Sequence, residues 1–226
     1  MNESKNAALN TVSSKDQLVE HKNVKIVRRG GTLKVLFVGN SITWHGPKAD
    51  IGWSGDWGMA ASCEEKDYVH RTVAMLDEKY GKVDYCVAQL AVWERDYTHT
   101  AEIMEAEYAS ARDFAADIVI IRIGENINGE NHKRESCKPY FVEMIKYLTA
   151  KSDARVVVTD SFWKRPALDI PFYEAAAENG YIFCSIGDIE NDKRSMALGE
   201  YEHRGVSIHP SDYGMELIAR RIVGCL

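Results

Sequence analysis

The feature that most constrains the fold is a short apolar run that ends in small polar residues. Residues 33–39 read LKVLFVG, and Asn40, Ser41 and Thr43 follow directly. Such a run is typical of a strand that is buried on both faces, as in a parallel sheet. In an open α/β sheet, ligands bind at the carboxyl ends of these strands. Ser41, on the turn after the strand, is therefore a candidate nucleophile.

Two other interpretations of Ser41 compete with this one. Its hydroxyl suits the N-cap of the helix that follows, and a hydroxyl-rich turn at a helix N-terminus also suits a phosphate. The Gly-Lys-Ser/Thr ending of the phosphate-loop pattern is absent from the sequence, which argues against a nucleoside triphosphate site. The local stretch does not decide between these roles, so the choice depends on the residues that would meet Ser41.

Strand-like and helix-like patterns alternate along the rest of the chain. Further apolar runs that predict strands occupy 83–88, 118–124, 155–159 and 181–186. Patterns that predict helices occupy 69–80, 101–116, 136–151, 171–179 and 213–223. This alternation predicts an α/β fold, a three-layer α/β/α sandwich around a five-stranded parallel sheet of flavodoxin-like order 2-1-3-4-5. Residues 24–29 are a candidate edge strand, residues 1–22 a flexible tail, and 23–226 a single domain.

The length and composition of the chain limit the classes of partner that it can bind. A length of 226 residues suits one α/β domain, and a net charge of −6 argues against nucleic acid or an anionic membrane as the main partner. No apolar run reaches the ~20 residues of a membrane span, and the N-terminus lacks the apolar core of a signal peptide, which predicts a cytoplasmic protein. A chain already trimmed of its leader would look the same. The five cysteines lack a CxxC spacing, so we expect no metal site and no cofactor.

Polar side chains from distant segments are expected to meet at one edge of the sheet. In the order 2-1-3-4-5 the topological switch lies between the first and third strands, whose ends carry Ser41 and Asn126. A hydroxyl would then face a carboxamide, as a nucleophile faces an oxyanion donor. His209, in SIHPSDYGM before the last helix, returns to the same edge and is the candidate general base. Its simpler interpretation is a loop residue fixed by Pro210.

These three segments resemble the SGNH-hydrolase (GDSL-like) esterase superfamily. FVGNSIT is similar to its serine-bearing first block, IRIGEN to the block whose Gly-x-Asn supplies an oxyanion donor, and GVSIHPSDYGMELIA to the last block with its histidine and proline. The resemblance covers about residues 33–224. It implies a serine ester hydrolase in which Ser41 attacks the ester carbonyl and His209 accepts its proton. The Ser41 N–H and Asn126 would hold the oxyanion.

The sequence departs from the family pattern at three sites, one of which is Ile127, where an aspartate commonly follows the oxyanion asparagine. Val206 stands where the family has an aspartate three residues before the histidine. Glu125, Asp188, Glu202 or a backbone carbonyl would then orient His209, or a Ser-His dyad would act alone. The second block has no oxyanion glycine in QLAVWER, so the backbone N–H near Ala91, or one from the 55–58 loop, would have to serve.

Tryptophans suggest a carbohydrate substrate. All five tryptophans fall in predicted loops at or near the active edge, where aromatic rings suit the flat faces of sugars. Together with the family resemblance, this implies removal of an acetyl or similar small acyl group from a carbohydrate. The candidate substrate-binding residues are Asn40, Trp44, Trp57, Trp93 and Trp163.

Three alternative functions fit the same residues. An acyl transferase would use the same machinery and pass the acyl group to a sugar. A flavodoxin-like FMN carrier would hold the phosphate on its Ser/Thr-rich loop, with Trp93 beside the flavin ring. A non-catalytic carbohydrate-binding domain is the third, since the family aspartate is missing.

Overall fold

A computed structural model describes residues 22–226, which form a six-stranded mixed sheet. The predicted tail at residues 1–22 lies outside the described residues, apart from Lys22. The strands are β1 (Val24–Val27), β2 (Leu33–Gly39), β3 (Val83–Gln89), β4 (Ile118–Arg122), β5 (Arg155–Thr159) and β6 (Ile182–Cys184). Their order is β1-β3-β2-β4-β5-β6.

The five parallel strands lie in the predicted order, and β1 adds a sixth strand. β3, β2, β4, β5 and β6 pair in parallel, which confirms the order 2-1-3-4-5. β1 pairs antiparallel with β3. The sheet is therefore mixed and not purely parallel, because the candidate edge strand before β2 joins it.

Helices flank the sheet and connect its parallel strands. The helices are α1 (Tyr68–Tyr80), α2 (Ala91–Arg95), α3 (Thr100–Asp113), α4 (Gly129–Arg134), α5 (Lys138–Leu148), α6 (Pro166–Asn179), α7 (Arg204–Ser207) and α8 (Asp212–Gly224). α6 begins at Pro166 and not near 171, because a proline fits the first helical turn, where its missing N–H would have no partner. The segment 91–95, predicted as loop, is helical.

Two apolar clusters cover the two faces of the sheet. Leu36 and Val38 of β2 pack in one cluster with residues of α3, α5 and α6. Val35 and Phe37, which point to the opposite face, pack in the other with residues of α1 and α8. This alternation explains why β2 is apolar at successive positions, and it confirms the three-layer sandwich. No helix within residues 22–226 is long and apolar enough to cross a membrane.

A tight turn after β2 brings Ser41 to the carboxyl edge. The N–H groups of Thr43 and Trp44 both donate to the Asn40 carbonyl at 2.9 Å. A Cβ at Gly39 would lie only 1.7 Å from Thr43 Oγ1, so the turn requires glycine there. Since Gly39 is in register with Arg122 at the end of β4, the turn after β2 lies beside the loop that carries Asn126.

Candidate active site

Ser41 and His209, 168 residues apart in sequence, meet at the carboxyl edge of the sheet. Ser41 Oγ lies 2.8 Å from His209 Nε2, within hydrogen-bonding distance. Asn126 and Ala91 line the same cleft, which has a volume of about 230 Å³. The fold therefore brings together the four residues that the sequence assigned to nucleophile, base and oxyanion donors. The other residues lining the cleft are His45, Ile51, Met59, Gln89, Arg95, His203 and Gly205.

The His209 ring is buried against the side chain of Trp163. Trp163 packs edge-on to it, with ring centroids 5.0 Å apart at 85°, and the Trp163 Nε1–H donates to the Ile208 carbonyl at 3.3 Å. His209 is only 8% exposed, and this burial lowers its pKa to about 4. The imidazole is therefore neutral near pH 7, the state in which Nε2 can accept a proton.

The second ring nitrogen of His209 has no hydrogen-bond partner within residues 22–226. Nδ1 is buried and makes no well-aligned hydrogen bond, but the backbone of Gly205 lies close enough to favour the protonated ring and raises its pKa against the larger effect of burial. Val206, at the family's aspartate position, is fully buried in an apolar cluster with Trp53 and Met59. The buried side chain of Val206 thus occupies the position of the third triad member, and Ser41 and His209 form a pair without it.

None of the three carboxylates proposed to orient His209 does so in the structure. Glu125 forms an ion pair with Arg122, with 2.6 Å between Oε1 and Nη1. Asp188 Oδ2 accepts from Arg221 Nη2 at 2.8 Å. Glu202 is exposed. These three predictions are wrong because two of the carboxylates are engaged by arginines and the third lies on the surface.

The candidate oxyanion donors differ in whether their N–H groups are already hydrogen-bonded. The Ser41 N–H donates to no group among the described residues. The Asn126 carboxamide uses one hydrogen on Glu94 and keeps the other, since an amide nitrogen carries two. The Ala91 N–H donates to Gln89 Oε1 at 3.1 Å, and the Gly58 N–H of the 55–58 loop donates to Asp67 at 3.0 Å. In this conformation Ala91 is therefore not a free donor.

Glu94, which the sequence pattern does not indicate, holds in place the loop of residues 124–126 that carries the candidate oxyanion donor Asn126. This fully buried carboxylate accepts from Asn126 Nδ2 at 2.6 Å and from the Gly124 N–H at 2.6 Å. It also accepts from Asn40 Nδ2 at 3.1 Å. Gly124, whose N–H donates to Glu94, has a φ of +132°, a conformation that favours glycine. The only hint in the sequence is an acidic residue beside apolar ones in AVWER.

A buried ion pair lies beside Glu94. Asn40 links the two, because its Nδ2 also donates to Glu125 Oε2 at 2.6 Å while its Oδ1 accepts from Arg122. Burial and the charge of Glu125 raise the pKa of Glu94. Burial opposes ionisation of Glu125 as well, but Arg122 outweighs it and lowers the pKa of Glu125. Asn40 is fully buried in this network, so its predicted role as a substrate contact is wrong.

The tryptophans do not form a common rim. Trp163 contacts His209, and Trp44 lines a groove beside the cleft. Trp57 does not line the cleft, and its Nε1 donates to the Ala61 carbonyl. Trp93 is fully buried in α2 and donates to Thr100. The prediction that Trp93 contacts a substrate or a flavin is wrong, because its side chain has no exposed surface.

In the described part of the chain, no three or more histidine, cysteine, aspartate or glutamate side chains are grouped so that they could hold a metal ion.

No protein-family model matches the sequence, and the search of curated proteins finds no relative. Solved structures do match the fold. An alpha/beta hydrolase enzyme from the metagenome of Lake Arreo has a TM-score of 0.58 and 14% identity, over 86% of this chain and 95% of that one. A protein described as a GDSL-like lipase from Parabacteroides merdae has a TM-score of 0.55 and 16% identity, over 89% and 98%.

A two-domain esterase active on acetylated mannans, co-crystallised with mannopentaose, has a TM-score of 0.56 and 18% identity. The match covers 85% of this chain and 48% of that one, so this chain spans about half of that esterase. At these identities the likeness is one of fold. The described chain therefore has the fold of the SGNH/GDSL hydrolases.

Proposed function

We propose that the protein is a serine ester hydrolase that removes an acetyl or other small acyl group from a carbohydrate. The observation that carries the proposal is the 2.8 Å contact between the Ser41 hydroxyl and His209 Nε2. A serine hydroxyl is a weak nucleophile until an adjacent base takes its proton. The lowered pKa of His209 keeps that base neutral and ready at ordinary pH.

In this mechanism Ser41 Oγ attacks the ester carbonyl while His209 Nε2 takes the hydroxyl proton. The carbonyl oxygen becomes an oxyanion, which accepts hydrogen bonds from the Ser41 N–H and the free hydrogen of Asn126 Nδ2. His209 then returns the proton to the departing alcohol, which leaves an acyl-enzyme on Ser41. Water, deprotonated by His209, attacks that ester and releases the acid and the free serine.

The missing carboxylate has a mechanistic consequence. In a full triad the acid orients the imidazole and stabilises the imidazolium that forms. Here Trp163 packs against the ring, but within residues 22–226 no carboxylate is hydrogen-bonded to it to stabilise its protonated form. We therefore expect slower turnover than with a complete triad, with the oxyanion donors contributing a larger share of the rate enhancement.

The acyl group and the alcohol are inferred from two features. A cleft of about 230 Å³ is small and suits a short acyl chain better than a long one. A matching fold belongs to an esterase active on acetylated mannans, which makes an acetylated carbohydrate the first substrate to test.

The decisive experiment compares Ser41→Ala with Ser136→Ala, a matched change at an exposed serine, on p-nitrophenyl acetate and on an acetylated oligosaccharide. We expect Ser41→Ala to abolish hydrolysis of both and Ser136→Ala to behave as wild type. A fluorophosphonate should label wild type on the peptide that contains Ser41. Unchanged hydrolysis by Ser41→Ala, or labelling elsewhere, would remove Ser41 from this role.

A further inference from the structure

A second groove of about 370 Å³ continues the active-site cleft. The two cavities share four lining residues, among them Ala91 and Arg95. An ester whose carbonyl lies at Ser41 can therefore extend along this groove without leaving the protein surface. Whatever lines the groove then contacts the part of the substrate beyond the scissile ester.

The groove is cationic in an acidic protein. Among residues 22–226, Lys22, Lys48 and Arg95 line it, and no aspartate or glutamate does, although the whole chain carries a formal net charge of −6. This contrast between a positively charged groove and a negatively charged protein is not expected if the groove binds only neutral sugar. A cleft lined by one sign of charge raises the local concentration of ligands of the opposite sign.

These cations are not committed to buried partners. Lys48 lies 3.7 Å from Asp50, and both side chains are more than half exposed, at 51% and 69%. Pairs this exposed contribute little and release easily. Arg95 is exposed and forms no ion pair within residues 22–226. Both cations are therefore available to a bound anion.

Arg95 is placed by the same helix that organises the loop of residues 124–126. In α2, Glu94 points inward to Asn126 while the neighbouring Arg95 is exposed where the two cavities join. Trp44, half-buried, adds an aromatic surface to the groove. A guanidinium suits two-point contact with a carboxylate, and an aromatic side chain suits the apolar face of a sugar ring.

We propose that the groove binds the carboxylate groups of an acidic oligosaccharide, so that the preferred substrate is an acylated sugar chain containing uronic acid residues. This inference rests on the proposed ester hydrolase function. Arg95 and Lys48 pair with carboxylates on sugars near the acylated one, and the acyl group enters the cleft at Ser41.

The test compares acetylated trigalacturonate with acetylated xylotriose as acidic and neutral substrates. The variants are Lys48→Gln, Arg95→Gln and the double variant. Lys146→Gln is the matched control, because this exposed lysine lies near the end of α5, at the opposite edge of the sheet. We expect the ratio of kcat/KM for the acidic substrate to that for the neutral one to fall about two- to fivefold per cation removed. Lys146→Gln should leave the ratio unchanged.

Salt provides a second readout. Raising the ionic strength from about 0.05 M to about 0.5 M shortens the range of these interactions and should reduce the preference of wild type. The double variant should show a weaker salt dependence. A wild-type enzyme that hydrolyses the neutral substrate but shows no preference for the acidic one, or whose preference both variants retain, would overturn the inference.

Binding by Ser41→Ala separates this inference from the proposed function. Calorimetric titration with trigalacturonate and xylotriose reports on the groove without turnover. Tighter binding of trigalacturonate, weakened by the Lys48 and Arg95 changes, supports the groove assignment even if wild type hydrolyses neither ester. Equal binding of the two sugars, or no binding of either, contradicts it.

Discussion

At the scale of single residues, the burial of His209 sets the pH at which the proposed base works. Only neutral imidazole can accept the Ser41 proton, and the pKa of His209 is lowered to about 4 by burial. We expect kcat/KM for a neutral ester to stay level as pH falls from 7 and to drop only below about pH 5. A pH–rate profile with an inflection near the ordinary histidine value of about 6.5 would contradict this.

Substitutions at Glu94 test whether this carboxylate holds the loop of residues 124–126 in place. Glu94→Ala removes the acceptor for four donors, which are the N–H groups of Gly124 and Asn126 and the side-chain amides of Asn40 and Asn126. A buried donor left unsatisfied costs about 1–3 kcal/mol. Glu94→Gln keeps a carbonyl for the Gly124 N–H. We expect the alanine variant to lose much more stability and kcat than the glutamine variant, with a smaller change in KM.

The measurements are urea unfolding and steady-state kinetics. Glu102→Gln, at an exposed glutamate on α3, serves as control. A Glu94→Ala variant with wild-type kcat would show that the carboxylate does not position Asn126.

At the scale of elements, the turn after β2 depends on Gly39. Because a Cβ there would lie 1.7 Å from Thr43 Oγ1, Gly39→Ala must displace the turn that carries Ser41. We expect a loss of stability of about 1–3 kcal/mol and a larger loss of activity. Gly129→Ala is the control, since its nearest atom would be 4.0 Å away. Equal melting temperatures and equal activities for the two variants would contradict this account.

The sequence predicts the strands better than the polar contacts beneath them. Apolar runs such as 33–39 identify the five parallel strands, because burial on both faces leaves a continuous signal. α2 escapes prediction because its five residues are too few to show a helical period. Ser41, Asn126 and His209 come together because the order of the parallel strands places their loops at one edge.

The network around Glu94 has no comparable signal. Arg122 is the last residue of β4 and lies within the apolar run IVIIRIG, where nothing in its spacing indicates that it pairs with Glu125 or contacts Asn40. Buried polar side chains form their hydrogen bonds with residues that are distant in sequence. Their partners can therefore be identified only from the assembled structure. For the same reason the sequence places Asn40 and Trp93 at the substrate, while the structure buries both.

At the scale of the whole molecule, His209 links folding to acidity. Its pKa is lowered in the folded state relative to an exposed histidine, so the unfolded chain binds more protons between about pH 4 and 6.5. Its contribution to stability is present above about pH 6.5 and is lost as pH falls through that window, by about 3 kcal/mol in total.

The comparison is urea unfolding at several pH values for wild type and His209→Gln. Glutamine cannot take up the proton, so the variant should lose less stability than wild type on acidification. Parallel curves for the two proteins would contradict the assignment.

The antiparallel strand β1 has a consequence for how molecules of this protein meet each other. Within residues 22–226 the sheet terminates in a four-residue strand on one side and a three-residue strand on the other. Short edge strands expose few backbone N–H and C=O groups with which another chain could pair. Stripping away β1 would leave the seven residues of β3 as an open, apolar template. A chain beginning after Val27 should therefore self-associate with rising concentration, and light scattering would reveal aggregates that the intact protein does not form.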